Sequence, residues 1–336
     1  MPNSTESTNL CQIYLTYIEI TVNIITMILN CYFTLRISQL PTFNANFRYM
    51  MVFQTFMTCT INFIHPLESL TPVEFYSLEA GNIKGSVFFY TLIVIQHFAT
   101  FVFESKYMLI AIERVIAYRE RATYENRDST LAKKILLWFA LLCIFILFIK
   151  TQVLWNAYSD FPVDVRLRRS LMIGRSYYGY CFNYIIAVIS IAVAVFFFYK
   201  IHVDILEKHE YSSLSENFEV RQTKMVLAYM KSLVKAFFVL LAACGTGVGV
   251  VTYYKFVVDV TEDHPFIVTT YTCMFISLCF YNLASILYMI RSFPPLRRAI
   301  LKDLPCLRER RVSDSTCDKA KMETEQYFSQ LKVMWK

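Results

Sequence analysis

Apolar residues gather in long blocks divided by short polar stretches, and this alternation sets out the elements of the chain. Seven blocks approach the roughly 20 mainly apolar residues that one helical crossing of a bilayer core requires. They run from Cys11 to Leu35, Tyr49 to Leu67, Ser86 to Ile112, Ile135 to Trp155, Tyr177 to Tyr199, Ser232 to Val257 and Phe266 to Ile290. The fourth and fifth are the cleanest, with "ILLWFALLCIFILFI" and "YIIAVISIAVAVFFFY" free of charge; the second is the weakest, because Gln54, Asn62 and His65 interrupt it. The nine prolines, at positions 2, 41, 66, 72, 162, 265, 294, 295 and 305, fall in predicted loops or at segment ends, where a missing amide and a fixed φ do least harm. No internal repeat and no matched pair of Gly- or Pro-interrupted helices is visible, which argues against an inverted-repeat transporter.

The expected fold is therefore an all-α membrane protein, one seven-transmembrane helix bundle over residues 11–290, with a short tail at 1–10 and a longer one at 291–336. Composition agrees: of 336 residues 56% are hydrophobic and only 18% charged, the balance of a polytopic membrane protein. Lys and Arg choose the orientation. With the N-terminus outside, the segments 36–48, 113–134, 200–231 and 291–336 lie inside and hold 24 of the 33 basic residues, whereas the outer loops hold only 5. The C-terminus is thus expected in the cytoplasm, and the net charge of +7 is assigned to the inner face of the lipid bilayer rather than to nucleic acid. "MPNSTESTNL" lacks a basic n-region and a small-residue cleavage pattern, so the first apolar block must itself direct insertion.

Several local patterns refine this plan. In the long outer loop, "VDVRLRR" alternates apolar and polar residues at period two and predicts a short strand or hairpin over the bundle mouth. "SLSE" at Ser213 to Glu216 is a capping-box pattern, predicting a cytoplasmic helix that continues into the sixth span. After the seventh span Pro294 and Pro295 break the helix, and "LRRAILK" suits a short amphipathic helix along the inner leaflet. Cys31, Cys59, Cys143, Cys244, Cys273 and Cys279 fall within spans and are read as small buried hydrophobes; Cys11 and Cys181 lie near the outer face, where a bridge and a coincidence are both open. Three modification candidates complete the list: glycosylation at Asn3 in "NST", lipidation at Cys306 just beyond the last helix, and phosphorylation at Ser313 in "RRVS".

An enzyme is not expected. The five histidines, at 65, 97, 202, 209 and 264, are scattered where a membrane oxidase would cluster them; no zinc spacing and no G-x-S-x-G elbow occurs. No catalytic residue, metal or cofactor is assigned. Ionisable residues inside spans are the better lead, since a charge in hydrocarbon costs several kcal/mol unless it faces a cavity or a partner. These are Glu19, Glu104, Lys106, Lys150 and Lys235, with Lys150, Lys235 or a polar ligand as possible partners of Glu104. Nearer the outer face, Asn62, His65, Gln96, His97, Thr100, Phe101, Glu104 and Tyr271 form a candidate ligand pocket, though each alone is as well explained by packing. "ACGTGVGVV" puts Gly245, Gly247 and Gly249 in the sixth span, suiting close helix packing and easing a bend.

Glu113 and Arg114 close the third apolar block. "IAIERVIAYRERATYE", followed by "LSENFEVRQTKMVLAYMKSLV", is similar to nematode serpentine chemoreceptors, closest to the epsilon class (Sre) of the Sra superfamily, which are G-protein-coupled-receptor-like. Ala111, Ile112, Glu113, Arg114, Tyr124 and Glu125 match that family's A-I-E-R and later Y-E; Leu214, Ser215 and Phe218 match its next inner motif, whereas Asn217, Glu219, Gln222 and Thr223 depart from it. The resemblance implies that Glu113 restrains Arg114 at rest and that activation frees Arg114 to meet a heterotrimeric G protein. Asn282 and Tyr288 in "YNLASILY" match the rhodopsin-type switch loosely, lacking its proline. The expectation is a plasma-membrane chemosensory receptor, in sensory cilia by resemblance, taking an unknown small-molecule ligand from outside. A polytopic transporter or channel is the alternative, and a membrane-embedded enzyme ranks third.

Overall fold

A computed structural model describes residues 4–40, 44–121, 124, 130–172, 176–207 and 214–303, without the side chains of 4–11, 214, 215, 218 and 295. Asn3, Cys306 and Ser313 lie outside the described residues, as does the side chain of Cys11 and with it any bridge to Cys181. The chain divides into two units, Met1–Ser292 and Phe293–Lys336.

The first unit contains α1 (Ser4–Gln39), α2 (Ala45–Leu70), a single turn α3 (Val73–Tyr76), α4 (Ile83–Glu104), α5 (Lys106–Arg119), α6 (Thr130–Ala157), α7 (Val163–Leu171), α8 (Tyr177–Glu207), α9 (Leu214–Phe256) and α10 (Pro265–Ser292). No strand occurs among the described residues. Helices α1 and α2 pack side by side, α10 packs on α1 and α9, and α8 packs between α5 and α9. The third apolar block is two helices, because the chain leaves helical geometry for one residue at Ser105 (φ −99°, ψ 4°). A helix does begin at Leu214 and run on through the sixth block, as α9, while Ser213 lies outside the described residues.

Among the described residues, six helical stretches are long and apolar enough to cross a membrane: 12–39, 83–104, 130–157, 177–207, 219–256 and 265–292. Helix α2 falls short in composition, and its burial pattern gives the reason. It turns Gln54, Thr58, Asn62, His65 and Glu68 inward while Tyr49, Phe56, Phe63 and Leu67 stay exposed. Helix α1 is built the same way, with Glu19, Asn23, Thr26 and Asn30 buried at spacings of three and four and Tyr17, Ile24, Ile28 and Leu35 exposed. A helix in water buries its apolar stripe; these two bury a polar one. The seam is hydrogen-bonded, as burial of polar groups demands: Thr34 donates to Thr55 Oγ1 at 2.8 Å and the Cys279 thiol to Asn23 Oδ1 at 3.3 Å.

Four expectations need correction. "VDVRLRR" forms the helix α7, not a strand: Pro162 precedes it, Asp164 sits in its first turn and Arg168 and Arg169 in its last, matching the helix dipole. Leu167 and Leu171, at helical spacing, pack on Tyr76, Phe89, Tyr90 and Ile93, so tertiary packing outweighed the period-two alternation. Pro66 does not mark a helix end, since α2 continues to Leu70 and closes only at Thr71. Cys31 and Cys273 are exposed, not buried; the apolar exterior of the bundle suits a thiol as well as its core does. Lys235, offered as a partner for Glu104, faces outward. In the second unit, the described residues form α11 (Pro294–Asp303), with Leu296 and Ile300 on one face at i, i+4.

Candidate functional site

Two clusters hold most of the buried charge, one at each end of the bundle. The first is built around Arg114 on α5, which is fully buried. Its Nε donates to Glu113 Oε2 at 2.5 Å and its Nη2 to Glu113 Oε1, so the adjacent side chains do bend to meet. Tyr124 donates to the same Glu113 Oε1 at 2.5 Å. Arg114 Nη1 lies 3.9 Å from Glu219 Oε2 on α9, and Asn44 Nδ2 donates to Glu219 Oε1 at 3.3 Å. The Phe47 ring sits under the guanidinium at 4.9 Å.

Local chemistry places these groups. Asn44 is the N-cap of α2, its Oδ1 accepting the Asn46 amide at 2.9 Å, so the capping amide is left free to turn toward Glu219. Asn46 in turn accepts the Ala132 amide at 2.9 Å, supplying an acceptor that the first turn of α6 lacks. The first residues of α2 thereby tie α5, α6 and α9 together. Burial opposes the charge on Arg114, and the adjoining Glu113 carboxylate more than compensates, holding the guanidinium above its ordinary pKa. Burial, and then the charge of Glu113, hold the Tyr124 phenol above its ordinary range, which keeps it a donor. Glu219 is one of the two carboxylates that reach Arg114. Asn282 and Tyr288 have other neighbours: Tyr288 stacks on Tyr229 at 5.8 Å, and the Asn282 side chain is buried with no hydrogen-bond partner among the described residues.

At the opposite end, α7 lies against the turn between α3 and α4. Asp164 accepts from Ser77 Oγ (2.6 Å), Leu78 N–H (2.9 Å) and Glu79 N–H (3.2 Å). Burial would raise this carboxyl, but these three donors hold it below its ordinary value. Arg166 stacks on Trp155 at 3.9 Å, and Arg169 pairs with Asp263 at 3.0 Å. Buried Glu262 accepts from Tyr158 at 3.2 Å and pairs with Lys255, closing the α9–α10 turn onto the end of α6. Arg166 and Arg169 are therefore spoken for by aromatic and acidic neighbours.

No family model and no curated protein matches this chain. Its chemistry has to be read from its own cavities, of which two bear on the residues above. A polar one, about 180 Å³, opens between α1, α2 and α10 and is lined by Glu19, His65, Glu68, Tyr180, Tyr271 and Phe275 among others. His65 Nε2 pairs with Glu19, its Nδ1 lies 3.4 Å from Glu68, and its ring stacks on Phe275 at 3.8 Å. A deeper, mostly apolar one of about 90 Å³ lies between α4, α8, α9 and α10 and includes Thr100, Glu104, Asn183, Tyr184 and Met274. Tyr180 and Phe275 line both, and Tyr180 stacks on Tyr271 at 4.3 Å.

Of the pocket residues expected from sequence, Thr100 and Glu104 line the deep cavity and His65 and Tyr271 the polar one. Asn62 and Gln96 are buried beside them, the Gln96 amide 3.3 Å from His65 Nδ1. His97 is held by the Leu171 carbonyl and by Lys150 at 3.2 Å, and Phe101 packs in the apolar core. Sequence reasoning missed Glu68, Tyr180, Asn183 and Tyr184. Gly245 and Gly247 sit close against α8 and α10: a Cβ at Gly245 would meet Tyr184 Oη at 2.5 Å, and one at Gly247 would meet Met274 Sδ at 2.6 Å. Both glycines make room for side chains of the cavity wall. Lys106, another intramembrane charge, sits 4.1 Å from the Phe103 ring centre and 4.7 Å from that of Tyr281, a cation–π arrangement that shelters an ammonium from hydrocarbon.

Proposed function

We propose that this chain is a chemosensory G-protein-coupled receptor of the nematode serpentine type: a small molecule enters from outside, and binding releases Arg114 at the cytoplasmic end. Seven crossings, with the N-terminus outside, put α7 over an outer mouth and the Arg114 cluster at the inner face. The inward polar stripe of α2 with its apolar exterior supports counting it as the seventh crossing. The observation that carries the reading is the fully buried Glu113–Arg114–Glu219 cluster joining α5 to α9. Such a cluster is a two-state element: a ligand that favours an arrangement with α9 displaced would expose a guanidinium now sequestered. Arg297, Arg298 and Lys302 beside Leu296 and Ile300 support reading α11 as a helix on the membrane surface.

The test is a small-molecule screen in cells, with a calcium or cyclic-nucleotide readout, on the native chain and Arg114→Ala. An agonist is expected to bind both and to signal only through the native chain. Equal signalling from both would refute the assignment of Arg114. Substrate-dependent flux in reconstituted vesicles, with no nucleotide exchange on any G protein, would identify a transporter or channel instead.

A further inference from the structure

We propose that the deep cavity binds a compact lipophilic amine as its ammonium ion, with Glu104 as the counter-charge; this rests on the reading of that cavity as the receptor's ligand site. Glu104, the last residue of α4, is 9% exposed. Its Oε2 has no hydrogen-bond partner among the described residues, and the side chain lines the cavity. A carboxylate oxygen without a donor among apolar walls is costly, and an ammonium N–H is the donor that relieves it best, through a short charge-assisted bond.

Two of the other polar wall groups are already engaged. Thr100 donates to the Gln96 carbonyl at 2.9 Å, and Asn183 Oδ1 accepts from Lys150 Nζ at 2.7 Å. Lys150 is near enough for its charge to act on Glu104, but its hydrogen bonds go to Asn183 and His97. Glu104 is thus the one acid in the lining. At about 90 Å³ the space is smaller than the roughly 150 Å³ that takes benzene, so the occupant is a short-chain or small-ring amine. The neighbouring polar cavity favours the same charge. Glu19 and Glu68 face a single imidazole there, a negative balance that concentrates cations at the entrance. The hydroxyls of Tyr180 and Tyr271, at the boundary, are buried without partners among the described residues.

The probes are butylamine and butan-1-ol, which share a shape and differ in charge at pH 7. Binding is measured by calorimetry and by saturation-transfer NMR on the purified full chain in lipid nanodiscs. Butylamine is expected to bind saturably and at least tenfold tighter than butan-1-ol. Glu104→Gln should erase that preference, and Lys150→Met, which removes the competing cation, should tighten the amine severalfold. Ala187→Leu, which fills the cavity without altering charge, should abolish both ligands. If Glu104→Gln does not fold, the other two variants decide the matter alone. The proposal is overturned if the amine is not preferred, if the preference survives Glu104→Gln, or if Lys150→Met weakens amine binding. Amine binding with these dependences but no nucleotide exchange would leave the ligand class standing and remove the receptor reading. Signalling driven by neutral compounds, with no amine preference, would do the reverse.

Discussion

Replacing Tyr124 by Phe removes one donor from the Glu113 carboxylate and leaves the packing volume intact. The bond lost is 2.5 Å long and wholly buried. A hydrogen bond to a charged group contributes about 1.5–3 kcal/mol, and because Arg114 still donates to the same oxygen the lower end applies, about 1.5 kcal/mol. Since about 1.4 kcal/mol corresponds to a factor of ten, the population with the cluster open should rise about tenfold. Val220 reports on it. This residue is 3% exposed and packs on α9 against Tyr118, Ile201 and Ile205, so Val220→Cys is shielded while α9 stays docked. Labelling by a maleimide, quantified by peptide mass spectrometry to separate it from the native thiols, should run about tenfold faster with Tyr124→Phe, and ligand-independent nucleotide exchange should rise with it. A labelling rate within twofold of the reference, in protein that remains folded, would show that this bond does not hold the inner end shut.

Gly245→Ala forces Tyr184 Oη from its place and should weaken butylamine binding severalfold, whereas Gly249→Ala, whose Cβ would meet nothing within 4 Å, should stabilise the helix by up to about 1 kcal/mol; thermal unfolding and calorimetry compare the two, and equal effects would refute the wall role. Asn46→Ala removes the acceptor of the Ala132 amide and should cost about 1 kcal/mol, read as faster hydrogen exchange at Ala132. Asp164 contributes stability that is present above the ordinary aspartate pKa of about 3.9 and lost as pH falls through its lowered value. Exchange protection of the Leu78 and Glu79 amides should therefore persist at pH 4 to 5 and collapse below that, while Asp164→Asn should weaken it at every pH.

The sequence by itself determined the apolar blocks, the helix that follows "SLSE" and the break before Pro294. These depend on composition, on caps and on neighbours along the chain, all of which are local. The inward polar stripes of α1 and α2 were legible in principle, as Glu19, Asn23, Thr26 and Asn30 recur at helical spacing, but their meaning inverts once the exterior is apolar. Only the tertiary structure decided that Glu219 reaches Arg114 across 105 residues of sequence, that Lys150 turns to Asn183 rather than to Glu104, and that "VDVRLRR" coils against Phe89 and Tyr90. Each of these is a choice among partners brought together from distant segments, and side-chain reach and burial, not sequence spacing, settle such choices.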